Sequence, residues 1–134
     1  RYLTDVLEIQ MSIPPELNTL NAMRSLMYAL LEGASESQGI RRSDIDGTLY
    51  YRDFGAPSII LFDAVPGGAG HVENIKDHLR DAIFEGYKKV RDCKCGEDTS
   101  CYNCLRNYSN QRYHDDLQRG YAIKLMKYLL ENGI

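Results

Sequence analysis

All four cysteines of this 134-residue chain fall within twelve residues, in the run Cys93-Lys94-Cys95 to Cys101-Tyr102-Asn103-Cys104. A C-x-C followed by a C-x-x-C places four soft thiolates on two short turns. That arrangement predicts a tetrahedral metal cage, and the ligand softness selects zinc. A disulfide framework would staple distant parts of the fold, and the two thiols of a C-x-C bond each other only with strain. The cage needs no further ligand from His71, His78 or His114. With four protein ligands it leaves no open position for water or substrate, so the zinc is expected to be structural.

Composition limits the alternatives. Hydrophobic residues make up 43% and charged residues 26% of the chain, ordinary values for one globular domain that buries its own core. A net charge of −3 disfavours a general nucleic-acid binder, although it leaves room for a local basic face. No apolar run approaches a membrane span, and no signal peptide opens the sequence. The chain starts at Arg1 in strand-like sequence, so we expect a C-terminal piece of a longer, cytoplasmic protein.

The pattern predicts a small α/β (α+β) domain spanning 1–134, a sheet packed by helices with a helical C-terminal half pinned by the metal. Tyr2 to Ser12 reads as a strand ended by Pro14-Pro15. Asn18 or Thr19 caps a helix reaching Leu31, with Leu20, Met23, Leu26, Met27, Leu30 and Leu31 as its apolar stripe. Gly33 and Gly39 are expected to loosen the chain beyond Leu31. Thr48 to Arg52 and Ser58 to Phe62 read as strands, the second interior and covered on both faces. One long helix is expected from His71 to Val90, a short one from Cys101 to Ser109, and a last one from Asp115 to Glu131.

Two further segments carry chemistry. Asp63, Pro66, Gly67, Gly68 and Gly70 form a strand–loop–helix junction. Its glycines suit either an anion at the helix N-terminus or close packing of that helix, with Asp63 capping the loop amides. It lacks the Gly-Lys-Ser/Thr ending of a P-loop and the Gly-x-Gly-x-x-Gly of a dinucleotide fold. After the cage, Arg106, Tyr108, Arg112 and Tyr113, joined by Lys124, mix cations with aromatics as phosphate contacts and base stacking require. The same segment also suits a hydrogen-bonded connection between helices, and Asp115 and Asp116 interrupt its basic character. Asp5, Glu8 and Asp63 do not assemble into a recognisable active site, and every cysteine is committed to the cage.

Taken together, the Phe62-Asp63-Ala64-Val65-Pro66-Gly67-Gly68-Ala69-Gly70 loop, Cys93-x-Cys95, Cys101-Tyr102-Asn103-Cys104-Leu105-Arg106-Asn107-Tyr108 and the stretch to His114 resemble the MrfA-type zinc-binding domain. That domain lies at the C-terminal end of large DEAD/DEAH-box helicases and in DISARM-type phage-defence proteins. The resemblance covers nearly the whole chain. It implies zinc on Cys93, Cys95, Cys101 and Cys104, and a parent that is a superfamily 2 ATP-dependent DNA helicase, or its close partner, in DNA repair or phage defence. It carries over no catalytic residue, so the fragment itself is expected to be no enzyme. Because it holds no Walker motif, ATP binding is expected N-terminal to it or on another subunit. The implied partners are the helicase motor domains, in the same chain or a partner subunit, and single-stranded DNA. The competing reading is a protein–protein assembly module that never touches nucleic acid.

Overall fold

The computed structural model describes residues 5–51, 53–65 and 69–133. Three strands, β1 (Val6–Ile9), β2 (Ile45–Tyr50) and β3 (Ser58–Asp63), form an antiparallel sheet in the order β1-β3-β2. Leu7 and Gly47 both face Leu61, and Ile9 and Leu49 both face Ile59. Because side chains alternate along a strand, this register sends Leu7, Ile9, Ile45, Leu49, Ile59 and Leu61 to one face, into the core.

The opposite face holds Val6, Glu8, Thr48 and Tyr50, all exposed, with Ile60 and Phe62 half-buried between them. The interior position expected for β3 is therefore correct, but its cover on both faces is not. The apolar run reflects a central antiparallel strand buried on one side and partly sheltered on the other. Strand β1 is shorter than the expected 2–12, whose first three residues lie outside the described residues. Strand β2 starts three residues before Thr48 and stops at Tyr50; Arg52 is likewise outside the described residues.

Helix α1 (Leu20–Gln38) is the centre of the fold. Thr19 caps it, its hydroxyl accepting from the Ala22 amide at 3.2 Å, and Gly39 closes it in the left-handed region at φ 63°. It runs seven residues beyond Leu31, because Gly33 tightens packing there and does not loosen it. A Cβ on Gly33 would overlap the Ala82 carbonyl oxygen and lie 2.5 Å from the Gly86 nitrogen; one on Gly86 would lie 2.6 Å from the Ala29 oxygen. The two glycines thus let α1 touch helix α3 (Leu79–Asp92) backbone to backbone.

The single helix expected over 71–90 is broken into α2 (His71–Asp77) and α3 at His78, whose φ of −129° is non-helical. No short helix runs from Cys101 to Ser109. A 3-10 stretch, Tyr108–Asp116, takes its place and absorbs Asp115 and Asp116, so that α4 (Arg119–Asn132) begins later than expected. Asn107 is responsible for this shift: its side-chain oxygen accepts from the amides of Ser109 and Asn110, and Asn110 returns the bond to the Asn107 amide. Glu32 binds α1 to its surroundings by accepting from Arg42 Nε at 3.1 Å and Lys89 Nζ at 2.6 Å.

The glycine contact sets the first prediction. Gly33→Ala inserts one methyl where only backbone lies opposite, so the helices must separate. It should cost about 3 kcal/mol of unfolding free energy, at the upper end of overpacking effects. Urea denaturation checks this; a change under about 0.5 kcal/mol would show that α1 and α3 do not meet there.

Candidate metal centre

The end of α3 delivers the first thiol. Cys93 is extended at φ −65° and ψ 146°, while its amide still donates to the Lys89 carbonyl at 3.2 Å. The chain then turns through Cys95 and Gly96, where Thr99 N–H donates to the Gly96 carbonyl. A second turn forms around Cys101, whose carbonyl accepts from the amides of Cys104, Leu105 and Arg106 at 3.0–3.1 Å. The Cys101 amide points at Cys104 Sγ, 3.4 Å away, an N–H···S contact that favours a thiolate.

These two turns bring all four sulfurs within 4.8 Å of one another. Sγ separations are 3.6 Å for Cys93–Cys95, 3.4 Å for Cys93–Cys101, 3.7 Å for Cys95–Cys104 and 3.9 Å for Cys101–Cys104. A tetrahedron with metal–sulfur bonds of about 2.3 Å has edges of roughly 3.8 Å, so the cluster fits zinc. A disulfide needs sulfurs about 2.05 Å apart, and all four cysteines are free. None of the three histidines enters the cluster. His71 faces Asp44, His78 Nδ1 contacts the Asn74 carbonyl, and His114 Nε2 lies 2.8 Å from Asn110 Oδ1 and 2.9 Å from the Asn107 carbonyl. With two acceptors against it, His114 Nε2 carries its hydrogen.

The thiols differ in how readily they ionise. Burial pushes the Cys93 thiol up, but hydrogen bonds from the Cys95 amide and from neighbouring thiols outweigh it and bring it down to about 7. Burial pushes Cys95 and Cys104 up. Metal must therefore displace protons from at least the latter two.

What holds the turns is largely Arg119. It is buried, and its guanidinium donates to the Val90 carbonyl at 2.7 Å and to the Cys95 carbonyl. The first turn of α4 adds two backbone bonds, Arg119 N–H to the Thr99 carbonyl and Gly120 N–H to the Glu97 carbonyl, each 2.8 Å. A Cβ at Gly120 would stand 2.9 Å from that Glu97 oxygen, which accounts for the glycine. Ser25 of α1 accepts from the Gln118 amide at 2.9 Å and donates to the Asn21 carbonyl, tying α1 to the same corner.

Arg119 does not stand out in the sequence. A cation at the start of a helix opposes the helix dipole, and that mismatch was the available signal. Of the cations near the cage in sequence, Arg91 pairs with Asp92 at 2.8 Å. Arg106 donates to Ser100 Oγ at 2.8 Å, and more weakly to Thr99 Oγ1 and the His114 carbonyl. The structure thus turns Arg106 inward. Tyr108 is 84% exposed, and Arg112 and Lys124 are exposed. Tyr113 is half-buried, with the Arg24 and Arg112 guanidiniums over its ring. Asp63 is buried and accepts from the amides of Ala69 at 2.7 Å and Val72 at 3.2 Å, as expected of a loop cap. Gly70 takes φ 76°, where a side chain would be strained. Pro66, Gly67 and Gly68 lie outside the described residues.

The support and the protonation of the cage can each be tested. Arg119→Met keeps much of the volume but removes both donors, and should weaken zinc binding by roughly 10–100-fold, as loss of a metal's outer-shell support does. A chelator competition measures it, and an unchanged affinity would remove Arg119 from the support. Zinc affinity should also rise with pH through the neutral range. Below the raised values of Cys95 and Cys104 each bound metal must release their protons, and that competition fades as pH climbs. The same competition run at several pH values checks the sign; a flat profile would contradict it.

Known proteins resemble this chain in sequence and in fold. The model of the MrfA Zn-binding domain (MZB) matches residues 26–105. The Druantia protein DruE of Escherichia coli (strain UMEA 4076-1) is 33% identical over 78 residues, which are 58% of this chain and 4% of that protein. The DUF1998 helicase MrfA bound to DNA shares the fold, with a TM-score of 0.63 at 16% identity, over 90% of this chain and 15% of its own. MrfA bound to DNA and AMPPNP gives 0.56 at 17% identity, over 92% and 15%. The chain thus spans a small part of each. With the family model matching more than half of its length and four thiols set for zinc, the chain belongs to the MrfA Zn-binding domain family.

Proposed function

We propose that this domain is a structural zinc module of a superfamily 2 ATP-dependent DNA helicase, with Cys93, Cys95, Cys101 and Cys104 as the four ligands. The observation that carries this reading is the closed thiol tetrahedron, clamped by Arg119 between α3 and α4. Bound zinc supplies folding free energy, on the order of 10 kcal/mol or more in zinc peptides, and its filled coordination sphere leaves no site for chemistry. The module is therefore not an enzyme by itself. ATP binding and hydrolysis belong to motor domains in the same polypeptide or a partner subunit, in the cytoplasm, and the module stabilises those motors and helps engage single-stranded DNA.

The parent's class rests on the relatives: the matched solved structures are of a helicase on DNA, and DruE belongs to the Druantia set. Phage defence and DNA repair are both served by such a parent. Among the residues expected at DNA, Tyr108, Arg112 and Lys124 are accessible, whereas Arg106 contributes by shaping the turn after the cage. A second reading, docking against protein alone, is favoured by exposed aromatics at the end of β2 and in the β2–β3 connection, where Tyr50 is 58%, Tyr51 62% and Phe54 88% exposed.

Metal analysis of the purified protein should find about one zinc per chain, as one four-cysteine cage requires. Cys101→Ser should then lose hydrogen-exchange protection first in α3, the cage turns and α4, with the sheet less affected. Uniform loss across the domain, or none, would contradict a local metal staple. For the parent, the same substitution should lower DNA unwinding while ATP binding persists. Unwinding at the native rate would leave the metal no role in the helicase.

A further inference from the structure

A cleft of about 260 Å³ opens between α1, β2 and the 3-10 segment, away from the cage. Two guanidiniums line it. Arg24 of α1 lies 3.9 Å from the centroid of the Tyr113 ring, and Arg112 lies 5.1 Å from the same centroid. The two cationic carbons are therefore no further apart than the sum of those distances. Neither side chain has a hydrogen bond or an ion pair among the described residues. Arg42, Arg80, Arg91, Arg106 and Arg119, by contrast, all donate to a carboxylate, a hydroxyl or a carbonyl.

Holding two like charges over one ring costs repulsion, which the ring's negative face offsets only in part. An anion between them removes the cost. Inside the cleft, Asp46 offers a carboxylate whose Oδ1 accepts from the Gly47 amide, which leaves Oδ2 without a partner among the described residues. The Tyr28 ring, 6.4 Å from that of Tyr113, supplies an apolar wall.

We propose that this cleft binds one nucleotide unit of a single-stranded nucleic acid, its phosphodiester between Arg24 and Arg112 and its base amine donating to Asp46. This deepens the DNA-engaging part of the proposed function and rests on that reading. Two guanidiniums lining one cleft and a lone acceptor match a nucleotide, which is anionic at the phosphate and carries N–H donors on the base edge. An acidic peptide matches the arginines alone and is repelled by Asp46. The site also gives Tyr113 a different task from base stacking, since the two guanidiniums already occupy the ring's neighbourhood. It adds Arg24, a residue of the first helix, to a surface otherwise built after the cage.

The test uses the zinc-loaded chain and fluorescein-labelled oligodeoxycytidine, followed by anisotropy across a salt series. Arg24→Gln with Arg112→Gln should weaken binding at least about tenfold and lower the salt slope by roughly 1.4, the counterion release of two phosphate contacts on a single strand. Zinc content and melting temperature matching the native chain establish that the double variant is folded. If it is not, each single substitution should lower the slope by about 0.7. Oligodeoxycytidine should bind more tightly than oligothymidine, which lacks an exocyclic amine, and Asp46→Ala should remove that difference. Native binding with an unchanged slope in the double variant would overturn the cleft while leaving DNA engagement elsewhere on the domain. No native binding at low salt would overturn both. Equal displacement of the oligonucleotide by polyglutamate would overturn the nucleotide assignment in favour of an acidic protein segment.

Discussion

Four sulfurs joined by separations of 3.4–3.9 Å cannot all ionise without a cation among them. Two unit charges at such a separation repel by about 4 kcal/mol even at an effective dielectric near 20, and the cluster contains several such pairs. A divalent metal bound among them would turn that repulsion into attraction. The chain from Lys89 to Gly120 converges on these sulfurs. The end of α3, both cage turns and the start of α4 are each bonded to a residue that is a cage cysteine or its immediate neighbour.

The rest of the molecule supplies a frame against which such a staple can be positioned. Helix α1 is buried along nearly its whole length and meets the sheet, α3 and α4. The Gly33–Gly86 contact fixes how near α3 approaches, and hence where Cys93 emerges. Ser25 and Arg119 then connect α1, α3 and α4 at the corner beneath the cage. Buried polar groups are used there because unsatisfied helix ends and turn carbonyls would otherwise be costly. Asn110, buried with its amide donating to the Leu105 carbonyl at 2.9 Å, does the same on the far side of the second turn.

Much of this was legible in the sequence, for identifiable reasons. Ligand spacing is a local property, so Cys93, Cys95, Cys101 and Cys104 could be grouped without knowing the fold. The Thr19 cap, the strand over 58–62 and the loop role of Asp63 are also local signals. Tertiary features were not visible. Gly33 looked like a helix weakener because its partner, Gly86, is distant in sequence. The break at His78 carries no proline or glycine to mark it. Asn107 and Asn110 form a reciprocal cap that redirects residues 108–116 into a 3-10 path, against a periodicity that suggested α-helix on either side. Arg106 and Arg119 show the same limit for charge: one looked like a surface contact and turns inward, while the other went unnoticed and anchors the cage. Arg24 lies far in sequence from Arg112, and only the fold brings both to the Tyr113 ring.

A metal held by sulfur alone is what we propose as the basis of both the order of the C-terminal half and its role. Zinc K-edge X-ray absorption of the purified, zinc-loaded protein addresses that most directly. A single shell of four sulfurs at about 2.3 Å is expected, with no nitrogen or oxygen scatterer near 2.0–2.1 Å. A light-atom ligand in the first shell, from water or His114, or a coordination number below four sulfurs, would contradict a closed structural cage and reopen the question of chemistry at the metal.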